Sequence, residues 1–138
     1  MANESYKYHQ TIKVIFVNCS ILFLSYSLFD KILNYYDLKY SIANVGTFNE
    51  IEVELIAIIT VLLESVTLIL LIFNYTKGLV MLFMVFTVFT SYIIYLKIIN
   101  KYLICGCGGF LNGLSFNSHL LINMVILIVS LYFILKRQ

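Results

Sequence analysis

Cys105 and Cys107, separated by Gly106 in a chain of 138 residues, are the pair whose type and spacing point most directly to chemistry. Two cysteines bridge only if their Cα atoms come within about 7 Å and their Cβ vectors converge. Gly106 lacks a Cβ and reaches backbone conformations closed to other residues, which makes that convergence possible. The ring so closed is small and strained. Strained, exposed disulfides have more oxidising potentials and exchange readily, so a catalytic or relay dithiol fits better than a structural staple. Lys97 and Lys101 are near in sequence and could raise the thiolate fraction, the reactive form. Two further readings stand beside this one: a turn of small residues, and a metal site in which Cys105, Cys107 and His119 offer three ligands that zinc or copper accepts. The spacing is not that of a zinc finger and no second Cys-x-x-Cys supplies a fourth ligand, so no metal ligands are assigned. His119 is instead expected to donate or accept a proton beside the dithiol.

Glu64 is the second candidate. It lies near the middle of an apolar stretch, Ile51 to Phe73, where an ionisable side chain costs about 2.5–3.5 kcal/mol on insertion scales unless protonated or paired. Thr60 and Thr67, at i−4 and i+3, share its helical face, and Thr87, Thr90 and Ser91 form a second polar stripe. No basic residue is read at matching depth, so the expectation is a neutral carboxyl hydrogen-bonded to these hydroxyls; on that reading Glu64→Gln keeps the fold. The rival role is a proton site or the neighbour of a membrane quinone, held between helices along Phe83, Phe86, Phe89 and Tyr92. Cys19 is expected to be a buried, inert thiol, and His9 a solvated side chain.

These residues need elements to hold them, and composition says which kind. The chain is 62% apolar or aromatic and 12% charged, against about 45–50% and about 25% in an ordinary soluble domain, so the bilayer is the expected solvent. Four stretches, 12–29, 51–73, 79–99 and 119–135, are long enough to cross about 30 Å of hydrocarbon at about 1.5 Å per helical residue. The first is longer than the usual signal-peptide core and no small-residue cleavage site precedes Asp30, so it is read as a span. The polar turn 74–78 makes the second and third spans a helical hairpin. The connection 30–50, rich in Tyr and aliphatic residues, suits an interfacial helix, and the connection 100–118 holds the CxC motif. The fold class is therefore an all-α, four-transmembrane-helix bundle in a single domain, residues 1–138.

Nine Lys or Arg and seven Asp or Glu are scattered without a cluster, which gives no nucleic-acid footprint. Lys7, Lys13, Lys77, Lys136 and Arg137 fall on one side of the membrane; Lys31, Lys39, Lys97 and Lys101 fall on the other. Positive-inside then puts both termini in the cytoplasm and the CxC loop in a compartment where disulfides persist, such as a bacterial periplasm.

The run Cys105-Gly-Cys-Gly-Gly109, followed by Ser115-Phe116-Asn117-Ser118-His119-Leu120 and Asn123, resembles the end of the MauE family, methylamine-utilisation membrane proteins related to DoxX. Phe29-Asp30-Lys31-Ile32-Leu33, Glu64 with Leu68 and Leu70-Leu71, and Phe86-Thr87-Val88-Phe89-Thr90 with Tyr92 extend the likeness from about residue 12 onward. This is a CxCGG variant, with Gly-Gly where Phe-Gly often follows the second cysteine. The resemblance implies four helices, a redox dithiol at Cys105 and Cys107, and a helix-capping polar cluster at Ser115 and His119. The expected function is exchange of disulfides or electrons with a thioredoxin-like partner or a quinone from the inner membrane. The alternative is a noncatalytic assembly or scaffold subunit of a larger membrane complex.

Overall fold

A computed structural model describes residues 2–102 and 115–136, with the side chains of the first helix described from Tyr8 onward. Five helices occur among them: α1 (Ala2–Leu33), α2 (Tyr35–Ala43), α3 (Glu50–Phe73), α4 (Tyr75–Ile98) and α5 (Phe116–Leu135). Four of these, taken over Tyr8–Leu33, Glu50–Phe73, Tyr75–Ile98 and Phe116–Leu135, are long and apolar enough to cross a membrane. The bundle is apolar on the outside: Leu22, Phe73, Ile98 and Leu121 are largely exposed, while Glu64 and Lys31 are only 1% and 2% exposed. That inversion of the soluble pattern suits a solvent of lipid tails, to which apolar side chains lose nothing by exposure.

Local sequence explains where the helices begin and end. Asn49 and Glu52 form a reciprocal capping box at the start of α3, the Asn49 side chain accepting from the Glu52 N–H at 3.0 Å and the Glu52 carboxylate from the Asn49 N–H at 2.9 Å. Ser115 caps α5 by accepting from the Ser118 N–H. Asn34, with φ −108° and ψ 41°, interrupts the helical path between α1 and α2, and its amide donates to the Asp30 carboxylate at 2.9 Å. The first long helix thus runs beyond Phe29, where hydropathy alone ends it, and carries Lys31 inside the bundle. The polar turn expected over 74–78 contracts to Asn74, which closes α3 and caps α4 by accepting from the Lys77 N–H at 3.2 Å.

α1 packs on α3, α3 on α4 and α4 on α5. Phe16 and His9 of α1 also reach α5: Phe16 meets Phe133 at 5.8 Å between ring centroids, and His9 lies 5.4 Å from both Tyr132 and Phe133. His9 thus packs against aromatic rings while staying partly open to solvent. The core at this end comprises Val17, Leu24, Leu71, Leu79, Leu82, Phe86 and Phe133. At the other end α2 lays Leu38 and Ile42 on Val53 and Ala57 of α3. A helix follows the first span as expected, and its exposed Tyr36 and Tyr40 suit a headgroup layer.

Candidate functional site

Glu64 is not alone. Its carboxylate pairs with the Lys31 ammonium from the last turn of α1, and Ser27, one turn earlier, donates toward the second carboxylate oxygen at 3.5 Å while accepting from Lys31 at 3.0 Å. The expectation of a carboxyl without a counter-ion is overturned, because α1 continues past Phe29 and brings Lys31 down beside α3. The supporting hydroxyls are also different ones. Thr60 and Thr67 donate to the carbonyls of Ile56 and Leu63, each four residues back on their own helix, and Thr87, Thr90 and Ser91 do the same on α4. An i−4 carbonyl is always within reach of a helical hydroxyl, whereas a carboxyl on the same face is not.

A buried ion pair balances a large desolvation penalty against Coulomb attraction and hydrogen bonds, and pairing is what makes either charge tolerable in an apolar interior. Here the Lys31 ammonium also faces the Phe89 ring at 5.3 Å. The pair stands between two cavities. The smaller, about 10 Å³, roughly the room of one water, is lined by Ser27 from α1, Glu64 from α3, Phe86 from α4, and His119 and Asn123 from α5. All four long helices thus contribute to one polar point. The larger, about 150 Å³, lies between α2, α3 and α4 and includes Lys31, Phe89 and Tyr92 in its wall. The Tyr92 hydroxyl is buried without a hydrogen-bond partner. A broader cleft of about 710 Å³ between α2 and the start of α3 is bordered by exposed side chains such as Tyr40 and Ile51, with Lys39 paired to Glu54.

His119, expected beside the dithiol, is buried on α5, and its Nδ1 lies 3.2 Å from the Tyr102 hydroxyl. Burial pushes the Tyr102 phenol above its ordinary range, so at neutral pH it keeps its proton, and the imidazole tautomer decides which of the two groups donates. Tyr102 also stands edge-on to Phe116 at 5.3 Å, so the chain on either side of segment 103–114 is held together by one cluster of rings. Lys101, expected to act on the thiols, donates to the Asn44 and Val45 carbonyls at 3.2 and 2.6 Å, and Lys97 lies over the Phe116 ring at 5.4 Å. These contacts tie the α2–α3 connection to the chain just after α4. Cys105 and Cys107 lie outside the described residues. Cys19 is exposed on the outer face of α1, not buried in the bundle. No metal-binding cluster occurs among the described residues.

Sequence reasoning picked out Glu64, His119, Phe86, Phe89 and Tyr92, and the structure brings them around two adjoining cavities. It missed Lys31 and Ser27 as members of the site, and marked Asn123 only through the family pattern. Lys31 carried a usable signal, since a lysine four residues from a serine at the end of a span can turn inward as readily as snorkel outward.

The model of one protein family, described as methylamine utilisation protein MauE, matches residues 10–136. No curated protein and no solved structure gives a match.

Proposed function

The chain belongs to the MauE family, an integral membrane protein of four apolar helices, and from that premise we propose that it moves reducing equivalents between a thiol protein and the membrane. On this reading Cys105 and Cys107 form the exchanging pair. A thiolate of a reduced, thioredoxin-like partner attacks the Cys105–Cys107 disulfide, giving a mixed disulfide and one free cysteine. The partner's second thiolate then releases the protein as a dithiol and leaves with its own disulfide formed. Reoxidation of that dithiol yields two electrons and two protons, which a membrane quinone accepts to become a quinol. His119 serves as proton donor or acceptor next to the pair, and Glu64 holds charge at the membrane-side end of the same polar cluster.

The observation that supports this reading is the small cavity where His119 and Asn123 of α5 meet Glu64 and Ser27. Two of its lining residues belong to the helix that follows the CxC segment, and an ionisable group inside an apolar bundle is a functional candidate by default. The CxC loop is proposed to face the periplasm of a bacterial inner membrane, with both termini cytoplasmic, because disulfides persist there.

The test is a trapping experiment in cells. With either Cys105 or Cys107 changed to Ser, the remaining sulfur starts an exchange that no neighbour resolves, so a partner is expected to accumulate as a mixed disulfide that reductant releases. Cys19→Ser is the control and leaves the wild-type pattern. A pair that stays fully reduced in an oxidising compartment, with Cys105→Ser/Cys107→Ser fully active, would leave the scaffold reading as the better account.

A further inference from the structure

The cleft between α2 and the start of α3 lies apart from the polar cluster around Glu64, and its two halves differ in chemistry. At about 710 Å³ it falls within the range of about 300–1,000 Å³ usual for small-molecule sites. One half carries Lys39 of α2 with Glu50 and Glu54 of α3. In the other, Ile51, Leu55 and Ile58 follow one face of α3 and are 81%, 55% and 43% exposed. At about 1.5 Å per helical residue, Ile58 stands about 12 Å along the helix from Glu50. Charge therefore sits where α3 enters the membrane, and aliphatic side chains continue into the hydrocarbon. A phospholipid has the same division, a charged headgroup above acyl chains. The walls are held by contacts of their own. Phe48, which also lines the cleft, packs against the Leu38, Ile42 and Val53 cluster and against that of Val45, Ile93 and Leu96. Tyr35 donates to the Glu54 carboxylate at 2.8 Å.

The charges select among headgroups. Lys39 pairs with Glu54, yet the two side chains stay 31% and 43% exposed, so ammonium protons and carboxylate lone pairs remain open. Glu50 is exposed and forms no ion pair among the described residues. Two carboxylates against one ammonium leave an excess of one negative charge. The complement is a headgroup with both a primary ammonium, which donates to Glu50 and Glu54, and a phosphate, which accepts from Lys39. Choline has no N–H to donate, and a glycerol headgroup brings only the negative phosphate. We propose that this cleft binds one phosphatidylethanolamine molecule, its headgroup between Lys39, Glu50 and Glu54 and one acyl chain along Ile51, Leu55 and Ile58. The proposal does not rest on the thiol exchange.

The experiment is native mass spectrometry of the full chain in detergent, titrated with phosphatidylethanolamine, phosphatidylcholine or phosphatidylglycerol of identical acyl chains. One retained phosphatidylethanolamine per chain is expected, with several-fold higher affinity than either other lipid. Glu50→Gln should weaken it about fivefold, the usual worth of one hydrogen bond. Glu50→Lys should reverse the preference, so that phosphatidylglycerol is retained best. Asp37→Asn removes a carboxylate that does not line the cleft and should leave the wild-type preference, which separates a local contact from the charge of this end of the bundle. All three variants change exposed side chains and should melt at the wild-type temperature. Equal retention of the three lipids, or many lipids bound without a distinct first one, would mean annular lipid only and overturn the proposal. An unchanged preference in both Glu50 variants would overturn it as well, as would an equal loss in Asp37→Asn.

Discussion

Glu64→Gln should unfold or strongly destabilise the bundle, and Glu64→Leu combined with Lys31→Met should restore it. Removing one member of a buried pair leaves the other charge uncompensated, at a cost of about 3–5 kcal/mol, whereas replacing both with apolar side chains of similar size is often neutral or stabilising. The two single changes are not equivalent. Without Lys31, Glu64 can neutralise itself by binding a proton and still accept from Ser27. Without the Glu64 carboxylate, the Lys31 ammonium keeps Ser27 and the Phe89 face but no counter-charge. Lys31→Met should therefore be the milder variant. The measurement is the thermal midpoint in detergent, read by size-exclusion recovery after heating, for both singles and the double. Wild-type stability in Glu64→Gln would sink the ion-pair account and return the residue to the neutral, hydroxyl-bonded carboxyl expected from sequence.

Gly78→Ala should also be strongly destabilising, and here the sign is the diagnostic. In an exposed helix interior the same change is favourable by about 1 kcal/mol. At Gly78 a Cβ would stand 2.6 Å from both Cα and N of Leu71 and 2.8 Å from the carbonyl carbon of Leu70, all backbone atoms of the preceding helix. Backbone cannot rotate aside as a side chain does, so α3 and α4 must separate at the point where Asn74 alone joins them. Leu71 and Leu79, both nearly fully buried in the core beside this crossing, would lose contacts as they parted. Overpacking of this kind costs about 1–3 kcal/mol and sometimes more. Gly78→Ala should lower the midpoint, and Gly78→Val should leave little folded protein. A raised midpoint in Gly78→Ala would mean that the two helices do not cross this closely.

The four spans were legible because length and hydropathy are one-dimensional properties. Glu64 was legible for the same reason: a carboxyl amid Ile, Val and Leu is conspicuous in any window. Its partner was not. Whether Lys31 belongs to a span or to a loop depends on where α1 stops, and that is decided at Asn34, by a local break in a segment of good helix formers. Whether it then faces Glu64 depends on how α1 and α3 cross, which neither segment encodes alone. His119 and Asn123 were marked by resemblance to a family pattern, but their meeting with Ser27 required the packing of all four helices. Tyr92 was read as one ring in a stripe; its unpartnered hydroxyl becomes visible only once neighbouring helices have closed around it.

The hydroxyls that spend their protons on carbonyls of their own helix have a bearing on how the protein is made. Ser20, Thr60, Ser65, Thr67, Thr87, Thr90 and Ser91 ask nothing of another helix, so the segments carrying them can leave the ribosome and partition into lipid one at a time. Glu64 is the exception, deep in α3 and too short to reach either interface, whereas Lys31 sits in the last turn of α1 and can wait with its ammonium at the headgroups. Synthesis delivers the lysine first and the carboxylate second. The order of the two charges along the chain thus puts the side chain that can reach an interface in place before the one that must bind a proton or find its pair, and biogenesis, as much as the finished fold, is served by which helix carries which sign.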